Sequence, residues 1–237
     1  AHALGMMPLL ISGDKKVLKR FVIPASRQAQ AGTPYLFAFA ITEPGAGSDV
    51  EEGYGAAICK PTTVAARPDG GWVLNGRKLF ISGGDIADAV TVFAALEGEG
   101  IESWTCFLVE NDMPGFGRVR NELKMGQRAS GATELVLENV VVPDDHVIGG
   151  LRNGWALNRA ALTCSRMPVA AIAWGIARGA MDAALDFVCR FRIGGKPLIV
   201  NQEIQLRVAD MICATATMRS MIWEHASRPV VTQANAS

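Results

Sequence analysis

Residues 37–49, Phe-Ala-Phe-Ala-Ile-Thr-Glu-Pro-Gly-Ala-Gly-Ser-Asp, narrow the folds open to this chain more than any other stretch. An apolar alternating run ends there in a turn of small residues. Without a Cβ, Gly45 and Gly47 let backbone N–H groups approach a phosphate, and Thr42 and Ser48 add hydroxyl donors. A glycine turn often only reverses the chain. A strand followed by Thr-Glu-Pro-x-Ala-Gly-Ser-Asp is far more specific, and it predicts a cradle for an anionic cofactor.

The same reading extends along the chain. From Tyr35 to Ile148, short alternating or β-branched runs separated by Gly, Pro, Asp and Asn predict an antiparallel sheet, barrel-like in outline. Strands are expected at 35–42, 55–66, 71–75, 77–82, 89–96, 104–109, 117–123 and 134–141. Asn75-Gly76, between two such runs, is a two-residue hairpin signal. Before the sheet, one helix is expected to end at Gly13 and a second, amphipathic one to be stopped by Pro24. After it the period becomes helical, with Ala-rich segments at 154–190 and 201–227 joined by Gly194-Gly195-Lys196-Pro197. Arg228-Pro229 is expected to end the second helix, and 232–237 reads as a polar tail.

Composition excludes several classes. Twenty-three basic and 23 acidic side chains leave no net charge, so nothing favours nucleic acid or an anionic surface. Five widely spaced cysteines (Cys59, Cys106, Cys164, Cys189 and Cys213) contain no Cys-x-x-Cys pair. They form neither a disulfide framework nor a metal site, and a reducing compartment follows. No apolar run reaches the roughly 18 residues of a membrane span, so none is expected. His2, His146 and His225 share no spacing that makes a metal or nucleophile site.

Four segments in order resemble the acyl-CoA dehydrogenase family. They are the 42–49 motif, Gly71-Trp72-Val73-Leu74-Asn75-Gly76-Arg77-Lys78-Leu79-Phe80-Ile81-Ser82, Lys124-Met125-Gly126-Gln127-Arg128-Ala129-Ser130, and Glu134 to Pro143. The resemblance implies an α+β fold. Residues 1–34 would be the end of an N-terminal helical domain, 35–150 the flavin-binding middle β-domain, and 151–237 the start of a C-terminal helical bundle. The chain would then be a fragment.

It also implies FAD and an acyl-CoA substrate, with α,β-desaturation and hydride transfer to flavin N5. By resemblance, Thr42 bonds the flavin edge, Phe39 flanks its ring, and Gly47 and Ser48 meet the diphosphate, Ser48 also lying near the CoA portion. Phe80 packs by the ring and Ser82 donates near N5, although many members have Trp and Asn at 80 and 83 where this chain has Phe80 and Gly83. Arg128 reads equally as a surface residue or as a positioner of its loop. Arg166 matches an arginine near CoA, and Ser165 stands where some members carry the catalytic glutamate. No catalytic base is identifiable, and one is expected beyond residue 237. Phe191 occupies the place of a family arginine that reaches the flavin of a neighbouring subunit. Arg190 and Arg192 flank it, either could substitute only if the helix end shifts or unwinds, Arg192 is the one expected, and Gln202 matches a glutamine at the same inter-subunit site.

The implied partners are an electron-transfer flavoprotein and further copies of the chain, as a dimer or homotetramer. The implied location is the bacterial cytoplasm or mitochondrial matrix. Two alternatives stay open: a non-catalytic FAD- and CoA-binding subunit, and an oxygen-using flavoenzyme of the same fold.

Overall fold

The computed structural model describes residues 2–51, 62–67 and 71–227. The expected strand residues 55–61 and the tail from 228 lie outside them. The chain divides into two compact units, residues 1–162 and 163–237.

In the first unit, helix α1 (His2–Ile11) is followed by Gly13 at φ +65°. Asp14 caps α2 (Lys15–Val17), its carboxylate accepting from Lys16 N–H at 2.7 Å. The helical path does not stop at Pro24. It widens into a π-turn over Leu18–Val22 and continues as α3 (Ile23–Gln30). Ile23 N–H bonds the carbonyl of Leu18, which shifts the ladder so that Pro24 falls in the first turn of α3. A missing N–H costs nothing there.

Eight strands follow among the described residues: β1 (Phe37–Ala40), β2 (Val64–Ala66), β3 (Trp72–Ser82), β4 (Ala89–Leu96), β5 (Thr105–Glu110), β6 (Phe116–Asn121), β7 (Ala132–Val142) and β8 (Val147–Ile148). They pair in the order β6-β7-β3-β2-β4-β5-β8, and β1 adds to β4. Among the described residues the sheet is open, so the barrel-like outline is corrected. It is also mixed, because β1 and β2 both run parallel to β4. Period-2 alternation reports which way side chains face and says nothing about closure or strand direction.

The hairpin expected at Asn75-Gly76 is absent, and β3 passes straight through these residues. Their freedom is used for a bulge: the register against β7 shifts between Leu74 and Gly76. Asn75 holds the bend by accepting from Asn139 N–H at 2.8 Å, Asn139 itself standing at φ +54°. Gly76, at φ +150°, packs against Thr63, the residue before β2, since a Cβ there would lie 2.6 Å from Thr63 Cα.

The core has two parts, fed by alternate residues of β1 and β4. Phe37, Phe39, Ala89 and Phe93 face a cluster with Leu9, Val17 and Phe21 of the N-terminal segment. Ala38, Ala40, Val90 and Val92 face a second one with Trp72, Leu74, Leu135 and Phe107. Both strands are therefore buried throughout, which is why they read as near-continuous apolar runs, interrupted only at Thr91.

His146 ties the N-terminal helices to the sheet. Its buried ring donates from Nδ1 to Leu108 O at 3.0 Å and accepts at Nε2 from Arg20 at 3.1 Å. Phe21 lies edge-on to it, and Asp145 and Glu110 carboxylates stand 3.9 Å from Nε2. Burial pushes this imidazole below its usual 6.5, helped by Arg20 and opposed by Leu108 and Glu110. As pH falls below 6.5, the unfolded chain takes up this proton before the folded one does, so stability drops. Melting temperatures at pH 7 and pH 5 are expected to fall further for the wild type than for His146→Gln. Equal falls would count against this role.

The second unit holds most of α4 (Gly154–Arg190), a two-strand hairpin of β9 (Arg192–Ile193) and β10 (Lys196–Pro197), and α5 (Gln202–Ala226). Asn201 caps α5, accepting from Glu203 N–H at 3.0 Å. The helices are joined where Trp174 Nε1 donates to Thr215 O at 3.0 Å, with Met181 and Thr215 buried between them.

Candidate functional site

Past β1 the chain turns tightly. Glu43 N–H donates to Ala46 O at 2.8 Å and Ala46 N–H returns a bond at 3.3 Å, which leaves Pro44 and Gly45 at the tip. Gly47 N–H, expected to face an anion, donates to Asp49 Oδ1 at 2.6 Å. The following 3₁₀ turn, Ser48–Glu51, buries Val50, and Val50 O accepts from Trp155 Nε1 at 2.8 Å. These bonds hold the loop in one shape.

The loop lies against the end of β3, where Leu79 N–H donates to Thr42 O at 2.9 Å. One residue on, Phe80 stands at φ +59° with 57% of its surface exposed. A bulky side chain in that region is strained, and such strain gathers at binding sites. Phe39, Thr42, Gly47, Ser48, Phe80 and Ser82 thereby line one cleft of about 310 Å³, completed by aliphatic side chains such as Leu4 and Leu162. Phe39 is also a core residue, with its ring 5.2 Å edge-on from Phe93. The cleft offers aromatic and aliphatic walls with two hydroxyls at the end of one strand and in its loop, and a third at the end of another.

Sequence reasoning missed what stands behind it. Lys78 is wholly buried on β3, and its Nζ donates to Glu43 Oε1 at 2.7 Å and to Ile41 O at 3.1 Å. Glu43 Oε2 accepts from Thr62 N–H at 2.6 Å and Thr62 Oγ1 at 2.8 Å, and Oε1 accepts from Thr63 N–H at 3.2 Å. Burial pushes the Glu43 carboxyl up, but the Lys78 ammonium and the Thr62 donors outweigh it and hold it below the usual carboxylate range. The one available signal is a lysine at an inward position of an alternating strand.

The other expected site residues lie elsewhere. Ser165 and Arg166 sit on α4 within the second unit, Arg166 exposed. Helix α4 ends at Arg190, which pairs with Asp186 at 2.6 Å. Arg192 begins β9 and donates to Gly195 O at 3.0 Å. Gln202 is the exposed first residue of α5, and Arg128 is exposed in the loop between β6 and β7.

An open sheet with a walled cleft at its strand ends, followed by two long helices, describes an α+β protein of ligand-binding type. Its family is evident from comparison. The pattern "Acyl-CoA dehydrogenase, middle domain" matches residues 38–140, and "Acyl-CoA dehydrogenase, C-terminal domain" matches residues 152–235. The chain belongs to the acyl-CoA dehydrogenase family. It is 36% identical over 92% of its length to cyclohex-1-ene-1-carbonyl-CoA dehydrogenase of Geobacter metallireducens, covering 55% of that protein. The crystal structure of butyryl-CoA dehydrogenase from Megasphaera elsdenii superposes with a TM-score of 0.85 at 30% identity, over 96% of this chain and 58% of that one. An acyl-CoA dehydrogenase of Bacillus anthracis complexed with FAD gives 0.82 at 27% identity, over 93% of this chain and 35% of that one. The chain thus spans about half the length of the curated relatives it matches, 55% of the first.

Helix α4 bears on the expectation that no segment spans a membrane. An 18-residue window in it reaches a mean hydropathy of 1.3, long and apolar enough by composition to cross a membrane. Its small apolar residues raise that average without forming an unbroken apolar run, and the whole segment from 154 lies inside the C-terminal domain match.

Proposed function

We propose that this chain carries the flavin cleft of an FAD-dependent acyl-CoA dehydrogenase that desaturates an acyl-CoA thioester between its α and β carbons. The observation that carries the reading is that Thr42, Ser48 and Ser82 line one cleft together with Phe39 and Phe80. The donor set suits FAD. Thr42 and Ser82 would hold the polar rim of its ring system, Phe39 and Phe80 would wall it, and Ser48 would meet the diphosphate, with Gly47, whose N–H is held by Asp49, leaving room for its approach. Bound there, FAD supplies the acceptor for the hydride. Ser48, Ser165 and Arg166 would hold the CoA portion, and Arg192 and Gln202 would reach the cofactor of a neighbouring protomer in a dimer or tetramer.

Behind the cleft, Glu43 cannot serve as the base, because both of its oxygens already accept from Lys78, Thr62 and Thr63. By the family resemblance, the base that takes the α-proton would be a glutamate late in the C-terminal domain, beyond residue 237. Reduced cofactor would pass its electrons to an electron-transfer flavoprotein in the bacterial cytoplasm or mitochondrial matrix.

The test is direct. The intact protein, purified gently or reconstituted with FAD, is expected to show a visible flavin band that bleaches on addition of a short-chain or cyclic acyl-CoA. A flavin-free protein that refuses FAD would overturn the reading. Ser165, at a position where some relatives carry the base, favours a second reading as a non-catalytic subunit. In that case FAD and acyl-CoA bind without bleaching. Rapid reoxidation of reduced flavin by oxygen would point instead to an oxygen-using flavoenzyme.

A further inference from the structure

We propose that the buried Lys78–Glu43 ion pair is the positioning device of the cleft, locking the Thr42 hydroxyl and the Phe80-Ile81-Ser82 segment into one mutual geometry toward the cofactor. The inference rests on the FAD reading above. A single ammonium reaches both sides of Thr42, to Ile41 O at 3.1 Å and Glu43 Oε1 at 2.7 Å. Between these two points, Thr42 O accepts from the next residue of β3, Leu79, at 2.9 Å. The loop is therefore pinned to β3 at three consecutive residues, 41 to 43. Both halves of the cleft then depend on one strand, since Phe80 and Ser82 follow directly on that same β3.

Glu43 extends the lock to a third strand. Its oxygens take the N–H groups of Thr62 and Thr63, immediately before β2, so one carboxylate gathers the ends of β1, β2 and β3. An apolar pair could fill the same space and often matches a buried ion pair in stability. It could not read register, because dispersion contacts survive a slip of the loop along β3 while the Lys78 bonds to Ile41 O and Glu43 do not. Saturation of Glu43 by its donors leaves it no proton-transfer role, so the pair acts through Thr42 and is not itself catalytic.

The experiment compares the intact wild-type protein with the double variant Lys78→Met/Glu43→Gln, which leaves no buried charge. Its melting temperature is expected to return close to that of the wild type. Its dissociation constant for FAD is expected to rise about tenfold, the scale of one misplaced hydrogen bond, with a displaced visible flavin band. A double variant with wild-type affinity and an unshifted band would overturn the proposal and leave the pair purely structural. Should the double variant not fold, Glu43→Gln alone decides, measured well below its melting temperature. A rise of about threefold or more in the FAD dissociation constant supports the lock, being a fraction of one hydrogen bond, and unchanged affinity overturns it. Failure of the wild type to bind FAD is a separate result, which removes the flavin reading and this inference with it.

Discussion

Gly76→Ala is expected to cost about 3 to 5 kcal/mol of folding stability, the sum of a backbone strain term and an overpacking term. The strain arises because Gly76 stands at φ +150°, where a side chain is rarely accommodated. Overpacking arises because the new Cβ would lie 2.6 Å from both Cα and Oγ1 of Thr63 and 2.8 Å from its Cβ. None of these atoms is the flexible end of a long side chain, so a strand must move. Gly98→Ala serves as the control: it too has positive φ, +79°, but nothing lies within 4 Å of its Cβ position. Only strain remains there, about 1 kcal/mol. Urea midpoints of the two variants test the difference, and equal losses would remove close approach as the reason for glycine at 76. Because Thr63 N–H is one of the donors to Glu43, Gly76→Ala should also loosen the cleft.

The second large effect is that of Lys78→Met, expected to lose about 3 to 5 kcal/mol at neutral pH because it strands a buried carboxylate. Its pH dependence differs from that of the wild type. With Lys78 in place, the folded-state pKa of Glu43 lies below the ordinary 4.5. The pair therefore contributes stability above 4.5 and loses it as pH falls through the folded value. Without Lys78 its two lowering influences are gone, burial is opposed only by the Thr62 hydrogen bonds, and the folded value rises above that of the wild type. The penalty is then complete at high pH and is relieved as acid protonates Glu43. Unfolding free energies at pH 7 and pH 5.5 should show the gap between variant and wild type narrowing at the lower pH. A gap that stays constant would mean that the lost stability is packing and not charge. His146 lowers stability in acid for both proteins, so it drops out of the comparison.

Much of the cleft was legible in the chain. Phe39 lies in one strand with Thr42, Gly47 and Ser48 after it, Phe80 and Ser82 close another, and the six line a single cleft. The long helices were bounded to within a residue, 154–190 and 201–227 against Gly154–Arg190 and Gln202–Ala226. Gly13 and Asn201 mark helix boundaries by local chemistry that needs no partner. Local rules failed where two structures share the same local chemistry. Asn-Gly tolerates the unusual dihedrals of a tight turn and of a bulge alike, and only the pairing of β3 with β7 decided for the bulge. Pro24 stops a regular α-helix but not one that has just widened through a π-turn.

What the sequence determined by itself, then, was which residues are apolar, which alternate, and which short stretches carry the hydroxyls and rings of the site, because these depend on neighbours a few positions away. The tertiary structure alone decided that the sheet stays open, that β1 and β2 run parallel to β4, and that Lys78 meets Glu43 from 35 positions along the chain. Register between distant strands is set by the burial of whole faces at once. No window of the chain contains that information until the strands have paired.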